Sequence, residues 1–352
     1  MNILITGVGG PTPRSFSIAI KKYGNFEKLR LIATDTNNLS IGLYQKELFD
    51  VSYVVPRAGS ENYWSVIYEI VEKESIDLAI ILPELEVIEW SKKNEAIVLP
   101  CKVLLPSSQM AELLVDKSKM TAVLNPIGLV PDSVSFHREL CDFTHLFESL
   151  GNAFWVRSTA GTSGLGSLLI DSEASLKNWI QINPSVQEFL ASTFLPGRNL
   201  ACKLLYWKGK LLRAACAERV NYIMAKVAPS GITGNTSFGR LLNEPEIVDL
   251  AIKAMEKLFR HTVSEKHGFY TVDFKEDSDG VPLITEINVR HVAFTQCFAA
   301  GGANFASDTV RLLINDPTFD FNFKMYEFEQ GLIFLRDVDN IPVLMKENDL
   351  IG

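Results

Sequence analysis

Phe269-Tyr270-Thr271-Val272-Asp273-Phe274-Lys275 and Val281-Pro282-Leu283-Ile284-Thr285-Glu286-Ile287-Asn288, the latter continued by Val289-Arg290, decide how this chain is read. Both runs read as strands, joined by the turn-forming Asp277-Ser278-Asp279-Gly280. Successive side chains of a strand point to opposite faces, so Glu286 and Asn288 share one face. Asp273 lies on the face opposite Tyr270, Val272 and Phe274. A turn over Asp277 to Gly280 is expected to set Asp273 opposite Ile284, with Glu286 diagonally adjacent. Hard oxygen donors grouped in this way suit Mg²⁺, which binds few protein carboxylates and takes its other ligands from water and phosphates. Arg290 keeps the same parity if the chain stays extended, which brings a cation beside a metal-bound phosphate. The plainer alternative is a solvated polar face.

Three further segments bear on this choice. Trp155-Val156-Arg157-Ser158 is an apolar strand ending in a cation, and it runs into Thr159-Ala160-Gly161-Thr162-Ser163-Gly164-Leu165-Gly166-Ser167. Such a loop can fold over a polyphosphate with amide and hydroxyl donors while Arg157 neutralises charge. Asp116-Lys117-Ser118-Lys119-Met120 opens a helix and offers Lys117 to a phosphate or an adenine; otherwise it is a solvated helix end. Gln187-Glu188-Phe189-Leu190 reads as an edge-like strand before Leu195-Pro196-Gly197-Arg198-Asn199, where a flat heterocycle could bond to the backbone.

The amino-terminal hundred residues alternate strand and helix signals: strands at Ile3–Thr6, Leu29–Asp35, Val51–Val55, Asp77–Leu82 and Val103–Leu105, with helices at Ser15–Lys22 and Tyr63–Glu72. Alternation of this kind predicts a parallel, doubly wound sheet, limited near Pro106. Gly7-Val8-Gly9-Gly10 after the first strand and Asp35 at the end of the second are what a dinucleotide fold uses for pyrophosphate and ribose. An NAD-dependent oxidoreductase is therefore an alternative. The third glycine of that fingerprint falls at Thr12, however, and the flanking Pro11 and Pro13 remove amide donors from the helix entrance.

Beyond Pro106, helices are expected at Met110–Val115, Lys117–Leu124, Asp142–Leu150 and Glu173–Ile182, with short strands from Val134 to Lys226. A long amphipathic helix follows over Glu244–Glu265, with Asn243 as its cap and Glu246 completing a capping box. Another is expected over Asn304–Ile314, before one or two closing strands.

With 352 residues the chain exceeds one ordinary domain, and 47% hydrophobic and 22% charged residues are those of a folded protein. A formal charge of −8 argues against a broad nucleic-acid or polybasic membrane surface. The five scattered cysteines contain no Cys-x-x-Cys, and the five histidines have no His-x-x-x-His spacing, so reduced thiols are expected and a zinc site is not. There is no Walker A sequence. Cys297 stands six residues after His291, but neither lies in a hydrolase context. The start of the chain has no leader-like stretch, and Val292–Ser307, with its two adjacent glycines, is shorter than the about 20 apolar residues of a membrane span. A soluble, cytoplasmic protein without a membrane partner is expected.

Taken in order, the Gly/Pro turn domain, Asp116-Lys117-x-x-Met120, the Val156-Arg157-Ser158-Thr159 loop, Gln187-Glu188-Phe189-Leu190 with Pro196-Gly197-Arg198, and Val272-Asp273-Phe274 with Glu286-Ile287-Asn288-Val289-Arg290 resemble the ATP-grasp superfamily. The likeness is to its carbamoyl-phosphate-synthase large-subunit and biotin-carboxylase branch. It covers about residues 1 to 315. It implies an α/β chain: a Rossmann-like preATP-grasp domain over 1–105, then an α+β ATP-grasp region over 106–315 whose two lobes clasp ATP between antiparallel sheets. Its small lid lobe would cover about 130–190 and its C-terminal lobe about 191–315, before a tail over 316–352 whose strands pack on the core.

The resemblance also implies site residues. Lys117 and Arg157 would be basic nucleotide ligands. Gly161, Ser163, Gly164 and Gly166 would form the phosphate flap, and Gln187, Glu188, Phe189 and Leu190 the adenine-contacting hinge. Asn199 stands where relatives often carry a ribose-binding glutamate. Asp273, Glu286 and Asn288 would be metal ligands, and Arg290 would face the transferred phosphate. Pro229-Ser230-Gly231-Ile232-Thr233 is similar to the Gly-Ile-His-Thr segment of the synthases but has no histidine, which weakens bicarbonate as a substrate. The implied activity is an ATP- and Mg²⁺-dependent carboxylate ligase, Mn²⁺ being a workable substitute. It would make an acyl phosphate that an amine or similar nucleophile captures. A degenerate, non-catalytic ATP-binding module is the other alternative. Small-molecule carboxylate and amine substrates are the expected partners, with a homodimer through the hydrophobic tail as a further option and no nucleic acid.

Overall fold

Ile3-Leu4-Ile5 form the centre of a parallel sheet because both faces of this strand are covered, which a continuous apolar run requires. The computed structural model describes residues 1–161, 167–337 and 351. Its first part runs β1 (Asn2–Thr6), α1 (Pro11–Tyr23), β2 (Arg30–Asp35), β3 (Val51–Val54), α2 (Tyr63–Lys73), β4 (Leu78–Ile80), α3 (Glu84–Ala96) and β5 (Lys102–Val103). The strand order is β3-β2-β1-β4-β5, every pairing parallel. Ile3 and Ile5 face α1, while Leu4 and Ile32 face the rest of the molecule.

Helix α1 starts at Pro11 rather than at Ser15. Both prolines fit its first turn, where a backbone N–H has no intrahelical partner and a fixed φ is already helical. Helix α3 has no clear apolar stripe: its buried residues are Glu86, Val87, Trp90 and Ser91. That mixture conceals it from a periodicity reading.

The middle part contains α4 (Ser108–Val115), α5 (Lys117–Leu124), β6 (Ser133–His137), α6 (Thr144–Leu150), β7 (Phe154–Ser158), β8 (Leu168–Ile170), α7 (Glu173–Ile182) and β9 (Glu188–Thr193). Strands β6, β9, β7 and β8 form a four-stranded antiparallel sheet in that order. This small lobe has a core of its own, with Phe136, Phe154, Val156, Trp179 and Phe189 among its members.

The remainder is built on β10 (Asn199–Trp207), β11 (Lys210–Tyr222), β12 (Thr236–Leu242), α8 (Pro245–Thr262), β13 (Gly268–Glu276), β14 (Pro282–Asn288), α9 (Thr295–Ala300), α10 (Phe305–Leu313), β15 (Lys324–Met325) and β16 (Ile333–Leu335). Six strands run β14-β13-β10-β11-β12-β16, and β15 pairs with β11. Helix α8 packs Met255, Leu258 and Phe259 into a core shared with Tyr206, Tyr270 and the outer face of the first sheet. On the other side, Ala306, Val310 and Leu313 of α10 join the core of α1. The tail's Phe319, Tyr326, Phe328 and Phe334 pack against Phe294 and Phe298 of the same chain.

Two local expectations are corrected. The cap of α8 is Glu244, not Asn243, and no side-chain capping bond forms there. Asn243 instead clamps the tail through two bonds with the Phe328 backbone, at 2.8 and 2.9 Å. In the β13–β14 pair Asp273 stands opposite Glu286 itself, because the register shifts by one residue before Phe274 meets Ile284. Thr285 is the extra residue of this bulge. All five cysteines are unpaired, and no helix among the described residues is long and apolar enough to cross a membrane.

Candidate active site

The bulge at Thr285 brings the oxygen donors closer than a regular hairpin would. Asp273 is 9% exposed; its Oδ2 accepts from Asn288 Nδ2 at 3.1 Å and its Oδ1 from an Arg219 terminal nitrogen at 3.3 Å. Burial pushes the Asp273 carboxyl up to about 6, with Arg219 opposing the rise and Glu286 adding to it. Glu286 pairs with Lys117 at 3.6 Å. No group of three or more His, Cys, Asp and Glu side chains converges among the described residues. Two carboxylates and one amide are a thin donor set for a soft metal and an adequate one for Mg²⁺.

A cavity of about 420 Å³ lies on one side of this cluster, between the small lobe and the large antiparallel sheet. Asp116 ends α4 in an extended conformation and caps α5 through Ser118 N and Lys119 N, and this turns Lys117 inward. Lys117 Nζ donates to Gly161 O at 2.7 Å, and its backbone N–H to Thr159 O at 2.9 Å. Alternation along β7 sends Phe154 and Val156 into the lobe's core and Trp155 and Arg157 into the cavity. Arg157 Nε is buried without a hydrogen-bond partner among the described residues, and burial lowers the pKa of this guanidinium. A buried donor left open at a cavity wall is a place for an acceptor to bind.

Gln187, Glu188, Phe189 and Leu190 do not line this cavity. Strand β9 is interior, between β6 and β7, and Glu188 O already accepts from Thr159 N at 3.2 Å. Its backbone has no edge to offer a heterocycle there. The cavity wall is Ser192, Thr193, Phe194 and Leu195, at the end of β9 where the chain leaves the sheet. Asn199, the first residue of β10, also lines it, as does Gly161. Ser163, Gly164 and Gly166 lie outside the described residues.

A second cavity, about 330 Å³, opens on the other side of the same cluster. Asp273 and Glu286 line both cavities, Asn288 and Arg290 only the second. Arg290 donates to Glu84 Oε1 at 3.0 Å and to His291 O at 3.1 Å, while its Nε is buried without a partner among the described residues. The far wall is the glycine turn with Pro11, Pro13 and Pro83. Gly7 has φ +68° and lies so close to Pro83 that a Cβ would stand 2.4 Å from that ring. Gly9 has the same relation to Ser40 Oγ, also at 2.4 Å. These glycines are required by packing within the turn. Asp35, the ribose-binding candidate, accepts from Gly9 N at 2.7 Å and Asn37 N at 3.0 Å, so both its oxygens are committed to the backbone.

Sequence motifs missed three charged residues at this centre. Arg219 on β11 lines both cavities, and Glu84 begins α3. Lys203 on β10 is fully buried, donates to Thr295 Oγ1 at 3.0 Å, and stands 4.4 Å and 5.0 Å from the rings of Phe298 and Phe294. Burial pushes its amine down to about 7. A lone cation inside an otherwise apolar strand is the signal that marks Lys203; Arg219, on a strand that also carries Lys210, Arg213 and Glu218, has no such signal, and neither has Glu84.

No family profile matches the sequence, and no curated protein matches it. Solved structures do. An L-amino acid ligase from Bacillus licheniformis superposes with a TM-score of 0.63 at 17% identity, over 89% of this chain and 74% of that one. An N5-carboxyaminoimidazole synthetase from Staphylococcus aureus, complexed with ADP, gives 0.66 at 17% identity, over 93% and 79%. The biotin carboxylase domain of a Hydrogenobacter thermophilus 2-oxoglutarate carboxylase, with MgADP and bicarbonate, gives 0.66 at 14% identity, over 92% and 71%. At these identities the likeness is one of fold.

Proposed function

Because the chain has the ATP-grasp fold, we propose that it is an ATP- and Mg²⁺-dependent, ADP-forming ligase that joins a carboxylate to an amine or similar nucleophile. One observation carries this reading: two cavities meet at Asp273 and Glu286, so a nucleotide in the first and an acceptor in the second would share one acidic, cation-binding floor. The ligands bound in two of the similar structures, ADP and MgADP, support a nucleotide in the first cavity.

Asp273, Glu286 and Asn288 would hold Mg²⁺, which would supply Lewis-acid charge toward a bound phosphate. Lys117 and the open Arg157 Nε would neutralise phosphate charge, and the wall from Ser192 to Leu195 would seat the adenine in place of the segment from Gln187 to Leu190. Asn199 would meet the ribose. Arg290, steadied by Glu84, would orient the carboxylate. The reaction expected is attack of a carboxylate oxygen on the γ-phosphorus, with the bond to the bridging oxygen breaking and its electron pair leaving on ADP. The nucleophile then attacks the acyl carbon and phosphate departs. The chain's part in this is positioning and fixed charge.

The test is ADP release measured over a matrix of carboxylates and amines, beside thermal shifts with Mg-ATP and with NADH. Stabilisation by Mg-ATP and turnover with a carboxylate–amine pair are expected. Stabilisation by NADH alone would overturn the proposal, and nucleotide binding with no turnover on any pair would leave a binding module in its place.

A further inference from the structure

We propose that Arg219 grips the phosphoryl group while it passes from the first cavity to the second, a role that rests on the ligase reading above. Among the basic side chains on the described walls, Lys117, Arg157 and Lys275 face the first cavity alone and Arg290 the second alone. Arg219 lines both. It is therefore the cation at the junction, where the group in transit must be.

Its guanidinium is held from three directions. Nε donates to Thr236 Oγ1 at 2.9 Å, one terminal nitrogen to Gly234 O at 2.7 Å, and the other to Asp273 Oδ1 at 3.3 Å. The rings of Tyr222 and Phe294 stand 4.9 and 5.5 Å from its central carbon. A guanidinium has five N–H donors in a rigid plane, so these three bonds fix the plane and leave two donors for a ligand. A cation oriented in advance needs no rearrangement when charge develops in front of it, which makes such a group effective in phosphoryl transfer.

The transfer itself asks no proton of Arg219. A carboxylate oxygen forms a bond to phosphorus, the bond to the bridging oxygen breaks, and the electron pair leaves on ADP. Throughout, the arginine keeps its protons and donates to the equatorial oxygens. Asp273 holds the guanidinium at its place without competing for the two remaining donors.

The competing explanation is that Arg219 only anchors the segment around Gly234 and neutralises Asp273. The two roles separate by comparing nucleotides that differ in the γ-phosphate. Calorimetric titration of wild type, Arg219→Gln and Arg219→Lys with Mg²⁺ and either ADP or a non-hydrolysable, methylene-bridged ATP analogue is the experiment. Arg219→Gln is expected to weaken the triphosphate about tenfold, the scale of a lost bond to a charged group. ADP affinity should stay within about twofold, as for a change remote from its contacts. Arg219→Lys, which keeps the charge but not the fork, should fall between and settles the matter if the glutamine variant does not fold. Equal losses for both nucleotides, or no loss for either, would overturn the proposal. Wild type binding neither nucleotide would remove the ligase reading, and this role with it.

Discussion

Arg290 and Glu84 are 206 positions apart in the chain, yet their side chains pair at 3.0 Å. One follows β14, at the edge of the large sheet, and the other begins a helix of the parallel domain, so the second cavity is assembled from both. With each side chain about 15% exposed, the pair is shielded enough to hold the guanidinium in one orientation. Glu84→Gln keeps the shape and removes the charge. It is expected to raise the KM for the carboxylate several-fold, on the scale of about 1 kcal/mol for a partly buried charged bond, with Mg-ATP affinity unchanged. A parallel loss of nucleotide affinity would show that the pair serves the fold instead.

Glu286 is the acid that both cavities and Lys117 share. Glu286→Ala should abolish carboxylate-dependent ADP release while circular dichroism stays that of the wild type. Full activity in this variant would remove Glu286 from the proposed cation site.

The wall from Ser192 to Leu195, proposed above to seat the adenine, gives a paired test. Leu195→Trp fills part of the first cavity, and is expected to weaken Mg-ATP binding by about tenfold or more through overpacking, which typically costs about 1–3 kcal/mol. Glu188→Ala, on an exposed side chain away from that wall, should stay within about twofold. The reverse pattern would restore the segment from Gln187 to Leu190 as the adenine contact.

Lys203 makes stability depend on pH. Its amine titrates near 7 in the fold, because of burial, and at the ordinary 10.5 once unfolded. Between those values the unfolded chain binds a proton that the native chain does not, so this residue's contribution to stability rises with pH across the window and is lowest below pH 7. Lys203→Met should therefore stabilise the protein most at acid pH, by on the order of 5 kcal/mol relative to alkaline pH. Urea denaturation of both proteins at two pH values either side of the window checks it; a difference independent of pH would contradict the depressed amine.

Local patterns were open to reading from the sequence wherever one run of residues decides the outcome. Ile3-Leu4-Ile5 declares a buried strand, Glu173–Ile182 a helix, and the parity of Glu286 and Asn288 a shared face. What depends on partners was not legible. Whether Gln187–Leu190 is an edge or an interior strand depends on β6 and β7 closing on both sides of it. The bulge at Thr285 changes a register that turn length alone would set differently. Arg219 and Glu84 acquire meaning only from Asp273 and Arg290, which come much later in the chain.

The separate core of the small lobe has a consequence for cooperativity. Phe136, Phe154, Val156 and Phe189 bury one another and not the large sheet. Their strands form an energetic unit of their own, whose amide protons should exchange with solvent at a free energy distinct from that of β10 and β13. A nucleotide bound between the two units would bridge them, and in its presence the two exchange rates should draw together as separate openings merge into one.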